Sequence, residues 1–87
     1  MNEVEYLDLI VRNIITVPES FNINKTQDEQ GVLLSIDLHK DDMGRVIGRE
    51  AKTINAVRQL MHVFGMPTKA RISVKINEPE GSTFSRN

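Results

Sequence analysis

Leu7, Ile10, Val11, Ile14 and Ile15 recur at three- and four-residue spacing, which predicts an amphipathic helix over roughly residues 2–16. Pro18 stops it. Phe21 and Ile23 alternate with Asn22 and Asn24, the mark of a short, half-buried strand. Residues 26–31 are polar and finish at Gly31, so a connecting loop is expected there. Val32, Leu34, Ile36 and Leu38 alternate with Leu33, Ser35 and Asp37 and predict a second strand. Asp41 and Asp42 are placed to cap a short helix through Met43, Gly44, Arg45, Val46 and Ile47, and Gly48 ends it. A longer helix follows, striped by Ile54, Val57, Leu60, Met61 and Phe64 and closed by Gly65 and Pro67. Ala70, Ile72, Val74 and Ile76 alternate with Arg71, Ser73 and Lys75 and predict a third strand. From Glu78 onward Pro79, Gly81 and small polar residues predict a disordered tail, leaving one domain over residues 1–77.

The predicted order is helix, strand, strand, short helix, turn, helix, strand. Three strands with one apolar face need helices packed on that face, which gives an α+β sandwich of two layers. The first two strands are close enough in sequence for a hairpin. The third returns after two helices, a connection long enough to run parallel to a neighbour. A mixed three-stranded sheet with three helices on one face is therefore expected.

Composition narrows the function classes. Eighty-seven residues make a single domain, one that buries only about 60% of its unfolded surface and is viable without staples. The absence of cysteine excludes disulfides and thiolate metal sites. His39 and His62 stand apart from any ligand-spaced cluster and read as surface side chains. Met43, Met61 and Met66 suit core or interface filling. No nucleophile with a paired base and no Walker pattern occurs, so neither an enzyme, a metal site nor a cofactor is expected. The opening residues Asn2, Glu3 and Glu5 lack the basic start of a signal peptide, and no apolar run reaches a membrane span, so a cytoplasmic location is expected.

Charge is uneven behind an overall value of −1. Residues 1–42 carry a net −6 and residues 43–75 a net +6, where Arg45, Arg49, Lys52, Arg58, Lys69, Arg71 and Lys75 face only Glu50. Such asymmetry fits an anionic partner, and it equally fits two segments that attract each other when folded. Arg71 and Lys75, alternating with core residues, are expected to keep the outer face of the sheet wet.

The run Asp41-Asp42-Met43-Gly44-Arg45-Val46-Ile47-Gly48-Arg49-Glu50-Ala51-Lys52-Thr53-Ile54 carries more information than its surroundings. A helix ends at a glycine, two polar residues follow, and a small residue opens the next helix. This resembles the KH motif, Val-Ile-Gly-x-x-Gly inside a strand–helix–helix–strand unit. An extra helix and strand before that unit match the bacterial, type II arrangement, and length and motif together resemble the small stand-alone bacterial KH proteins over roughly residues 3–77.

The resemblance implies a type II KH domain that binds single-stranded RNA without catalysis. A bare turn lets a sugar-phosphate chain approach the main chain closely. Free N–H groups at the start of the following helix then point at a phosphate, assisted by the helix dipole. By resemblance, Gly48, Arg49, Glu50 and Ala51 form the clamp for about four nucleotides. Val46, Ile47, Ile54 and strand residues such as Ile36 would floor an apolar groove for the bases. Arg45, Arg49 and Lys52 would add phosphate contacts. The family also implies a homodimer, or a heterodimer with a larger KH-domain RNA-binding protein, acting as an RNA chaperone or in post-transcriptional regulation. Two positions depart from the pattern: Ala51 replaces the second glycine and Glu50 puts an acid in the turn, which points to weak binding by the domain alone. Other readings are a degenerate KH fold serving as a protein-interaction subunit, and a ribosome-assembly factor of related fold.

Overall fold

The computed structural model describes residues 1–77. The expected disorder from Glu78 onward falls outside the described residues. Helix α1 spans Glu3–Arg12, strand β1 Asn22–Asp28, strand β2 Gly31–Asp37, helix α2 Lys40–Ile47, helix α3 Lys52–Gly65 and strand β3 Ile72–Asn77. The architecture is α+β, with three helices over a mixed three-stranded sheet in the order β1-β2-β3.

α1 starts in a capping box: the Asn2 side chain accepts the Glu5 N–H at 2.8 Å, and the Glu5 carboxylate accepts the Asn2 N–H at 2.9 Å. It stops at Arg12, short of the expected reach to about residue 16. Asn13 caps the end by donating its side-chain amide to the Leu9 carbonyl at 2.6 Å. Ile14 and Ile15 leave the helix but stay half-buried against the core, which is why their spacing mimicked two further helical positions.

β1 and β2 pair antiparallel from Asn22↔Asp37 to Asp28↔Gly31, so the loop expected at 26–31 shrinks to Glu29 and Gln30. The Asp28 carboxylate accepts the Gln30 N–H at 2.8 Å and locks this turn. Thr26, Gln27 and Asp28 are all exposed, so they carry no apolar alternation although their backbone is fully recruited into the ladder. β2 and β3 pair parallel, Val32 beside Ile72 and Ile36 beside Ile76.

The register sorts the two faces. Ile23, Val32, Leu34, Ile36, Ile72, Val74 and Ile76 share the inner face under the helices. The outer face is polar, and there the Asp37 carboxylate accepts from Asn24 at 3.2 Å and from Asn77 at 2.9 Å, tying all three strands. Arg71 and Lys75 are exposed on the outside, as expected from their alternation. Leu7 and Val11 of α1, Met43 and Val46 of α2, and Ile54, Val57 and Met61 of α3 complete the core. Tyr6 stacks on Phe64 with ring centroids 4.7 Å apart and joins α1 to α3. Lys25 on β1 pairs with Glu3 at the start of α1, 2.5 Å apart.

The start of α2 corrects an expectation. Neither Asp41 nor Asp42 is its N-cap. His39 is, its Nδ1 accepting the Asp41 N–H at 3.1 Å. Asp42 instead turns inward with no exposed surface, and its carboxylate accepts the Thr16 N–H and hydroxyl and the Val17 N–H. Burial alone would raise its pKa. The hydrogen bonds from Thr16 and Val17, helped by Arg45, outweigh that and leave the carboxyl below its ordinary value.

Candidate functional site

α2 and α3 meet at the Gly48-Arg49-Glu50-Ala51 segment, a single 3₁₀ turn over Arg49–Ala51 set between the two helices. Gly48 closes α2, its N–H reaching the Gly44 carbonyl at 2.8 Å, with φ 78° and ψ 169°. That region is open to glycine alone. Packing enforces the same choice, because a β-carbon on Gly48 would lie 2.7 Å from the Thr53 Cβ.

Beyond Gly48 the chain turns left-handed twice, at Glu50 with φ 55° and at Ala51 with φ 62°. Ala51 occupies the left-handed position that a glycine would enter freely and that costs an L-residue roughly 1–2 kcal/mol. Ala51 thus holds a backbone conformation that suits glycine.

Ala51 is also the residue before α3, and it has no side chain to cap the helix. The Ala51 N–H is used, bonding the Gly48 carbonyl at 3.1 Å. Among the described residues the Arg49 and Glu50 N–H groups have no hydrogen-bond partner. Arg49, Glu50 and Lys52 are exposed and Gly48 and Ala51 half-buried, so the turn lies at the surface. An anion could dock against those amides and the positive end of α3.

Charged side chains surround the turn. Arg49 makes no ion pair among the described residues. The Lys52 ammonium lies 4.0 Å from the Glu50 carboxylate, and the Arg45 guanidinium 3.9 Å from Asp42. Both pairs are loose enough for the cations to engage another anion. The Glu50 carboxylate thus stands within the turn on the same side as the Lys52 ammonium.

The apolar residues separate into two groups. Ile47 and Ala51 are half-buried and offer surface beside the turn. Val46 and Ile36 are fully buried and Ile54 nearly so, because they fall on the inward faces of α2, β2 and α3. These three back the surface rather than line it. Accessible lining comes instead from a polar stripe on α3, where Lys52, Asn55, Gln59 and His62 recur at helical spacing from the turn onward. Asn55, Arg58, Gln59 and His62 border a shallow depression there. Arg58 donates to the Val74 carbonyl at 3.2 Å and covers one acceptor on the free edge of β3. This stripe escaped the sequence reading, which followed the apolar side of the helix; the polar residues at three- and four-residue spacing were its signal.

Among the described residues no group of three or more His, Asp or Glu side chains could hold a metal ion. No helix among them is long and apolar enough to cross a membrane.

Comparison with known proteins agrees with this geometry. The KH domain of the KhpA/KhpB family matches residues 4–76. The RNA-binding protein KhpA of Chlamydia pneumoniae is 31% identical over 74 residues, 85% of this chain and 95% of its own length. That of Oceanobacillus iheyensis is 31% identical over 70 residues, 80% of this chain and 93% of its own. That of Borreliella burgdorferi is 25% identical over 75 residues, 86% and 92%. No solved structure matches the chain significantly. The turn between two helices, the αββααβ order and the match across nearly the whole described chain together place this protein in the KhpA/KhpB family of small bacterial KH domains.

Proposed function

We propose that the chain binds single-stranded RNA, without catalysis, through the segment from Gly48 to Lys52. The carrying observation is the pair of unpartnered N–H groups of Arg49 and Glu50, two surface residues ahead of an uncapped α3. A phosphate docks there, Arg45, Arg49 and Lys52 position the strand, and bases lie against Ile47 and the α3 stripe, with Val46 and Ile54 beneath. The relatives named RNA-binding protein KhpA support this reading. A cytoplasmic place of work in RNA regulation or as an RNA chaperone fits it.

A titration of labelled single-stranded RNA at several salt concentrations tests the proposal. Affinity should fall with salt, with a log–log slope near roughly −0.7 for each phosphate contacted. Absent or salt-insensitive binding would refute it.

Pairing is the second part of the reading. On α3 and at the residue just past its end, Leu60, Val63 and Met66 are 42%, 58% and 59% exposed, an apolar face without a partner among the described residues. We infer that this face pairs with a second copy or with a larger KH-domain RNA-binding protein. Two weak clamps then act at raised effective concentration, offsetting the cost of Glu50 and Ala51. Cosedimentation with small ribosomal subunits in place of free RNA binding would favour a ribosome-assembly role instead.

A further inference from the structure

α2 has eight residues, a length that does not hold itself in water. Its place depends on what its inner face touches. Met43 and Val46 supply apolar burial, which is non-directional and holds the helix down without fixing its rotation. Asp42 adds direction. Its Oδ1 accepts the Thr16 N–H at 2.9 Å and the Thr16 hydroxyl at 2.8 Å, and its Oδ2 accepts the Val17 N–H at 2.9 Å. With both oxygens engaged, the carboxylate plane is set by the corner that follows α1. Taking a carboxylate out of water is costly, and its best-attested return is the fixing of register.

Two things lie downstream on the same short helix. Arg45, three residues on, has its Nε 3.9 Å from Asp42 Oδ1. Gly48, six residues on, closes α2 and opens the exposed turn. Resting on the RNA-binding reading above, we propose that Asp42 is a positioning residue for RNA: from beneath the surface it sets the rotation of α2, and with it the direction in which Arg45 and the Gly48 turn face the strand. Thr16 and Val17, remote from the turn in sequence, are the other half of this anchor.

The full chain is titrated with a fluorescein-labelled pool of random single-stranded RNA 12-mers, as wild type, Asp42→Asn, Arg45→Gln and the double variant. In Asp42→Asn an amide N–H₂ faces the Val17 N–H, so the anchor is broken while the shape is kept. Binding should weaken about tenfold, the loss of one charge-assisted contact. The salt slope should become shallower by roughly 0.7. The double variant should lose less than the product of the two single losses. Wild-type-like binding by Asp42→Asn, or independent multiplying losses, would overturn the proposal. Because Asp42→Asn could unfold the chain, Thr16→Val removes only the hydroxyl donor. Its Gly48 to Lys52 amide shifts, measured by NMR without RNA, should move part of the way along the line from wild type to Asp42→Asn, or simply away from wild type if that variant does not fold. Shifts confined to the corner and the first turn of α2 would overturn it. A wild-type chain that does not bind the 12-mers refutes the RNA reading, while the amide shifts still decide whether Asp42 positions the turn.

Discussion

Thr53 stands over Gly48 so closely that its β-carbon would lie 2.7 Å from one added to the glycine. The start of the turn is thus interlocked with the first turn of α3, and the requirement for glycine comes from packing and from dihedral angles together. Gly48→Ala should destabilise the domain by about 2–4 kcal/mol, combining Gly-only backbone strain with displacement of Thr53. Urea denaturation measures it. A loss under about 0.5 kcal/mol, the range of an ordinary surface change, would mean the turn relaxes freely.

Ala51 offers the opposite test. Its left-handed φ of 62° suits glycine, so Ala51→Gly relieves strain in the folded chain. Glycine also loosens the unfolded chain, and the net gain should be about 0.5–1 kcal/mol. RNA affinity should hold or tighten, since a methyl is removed from beside the exposed amides. Thermal melts and the RNA titration read the two effects separately.

Arg49 is exposed and makes no ion pair among the described residues, so its substitution should leave the fold alone. Arg49→Asp should change stability by no more than about 0.5 kcal/mol. It places a second acid beside Glu50, and RNA binding should be lost. Unaltered affinity would show that the strand lies elsewhere on the surface.

Acid should weaken the domain through two carboxyls. The hydrogen bond from Lys25 holds Glu3 below its ordinary value, and the bonds from Thr16 and Val17 hold Asp42 below its own despite burial. Each folded-state pKa is lowered, so the unfolded chain binds more protons. The stability these groups confer is complete above the ordinary carboxylate range of about 4 and is lost as pH falls through the folded values. Melting temperature should therefore drop steadily below about pH 4–5. Glu3→Gln should flatten part of that dependence; an unchanged profile would rule out the Glu3–Lys25 pair as a source.

Val63 lies at the middle of the exposed α3 face. Val63→Asp should shift sedimentation equilibrium toward monomer at unchanged melting temperature, apart from stability lost with the dimer itself. Self-association that persists would move the pairing surface away from α3.

Most of the architecture was legible because apolar spacing reports burial, and burial of one face is what defines each element here. The alternation in β2 and β3 survives into the structure, as does the α1 stripe as far as Val11 and the α3 stripe apart from Leu60, which stays exposed. Where burial is one-sided or absent the signal fails. Thr26 to Asp28 pair their backbone while their side chains stay wet, so a strand read as a loop. Asp42 belongs to the core by hydrogen bonding, which no hydropathy pattern displays. His39 as a cap and the left-handed dihedrals at Glu50 and Ala51 depend on how two helices meet, a relationship between elements that no single stretch encodes. The Gly48 turn itself was found by motif, and the burial of Val46 and Ile54 beneath it appeared only once both helices were packed.

The parallel ladder that sets Val32 beside Ile72 joins positions forty residues apart, with both later helices in the intervening loop. Closing a loop of that length is slow compared with zipping the hairpin between β1 and β2. A nascent chain must therefore leave the ribosome as far as β3 before its central strand gains its second neighbour. Until then Leu34 and Ile36 lack the strand that seals them, and the domain matures late, almost all at once.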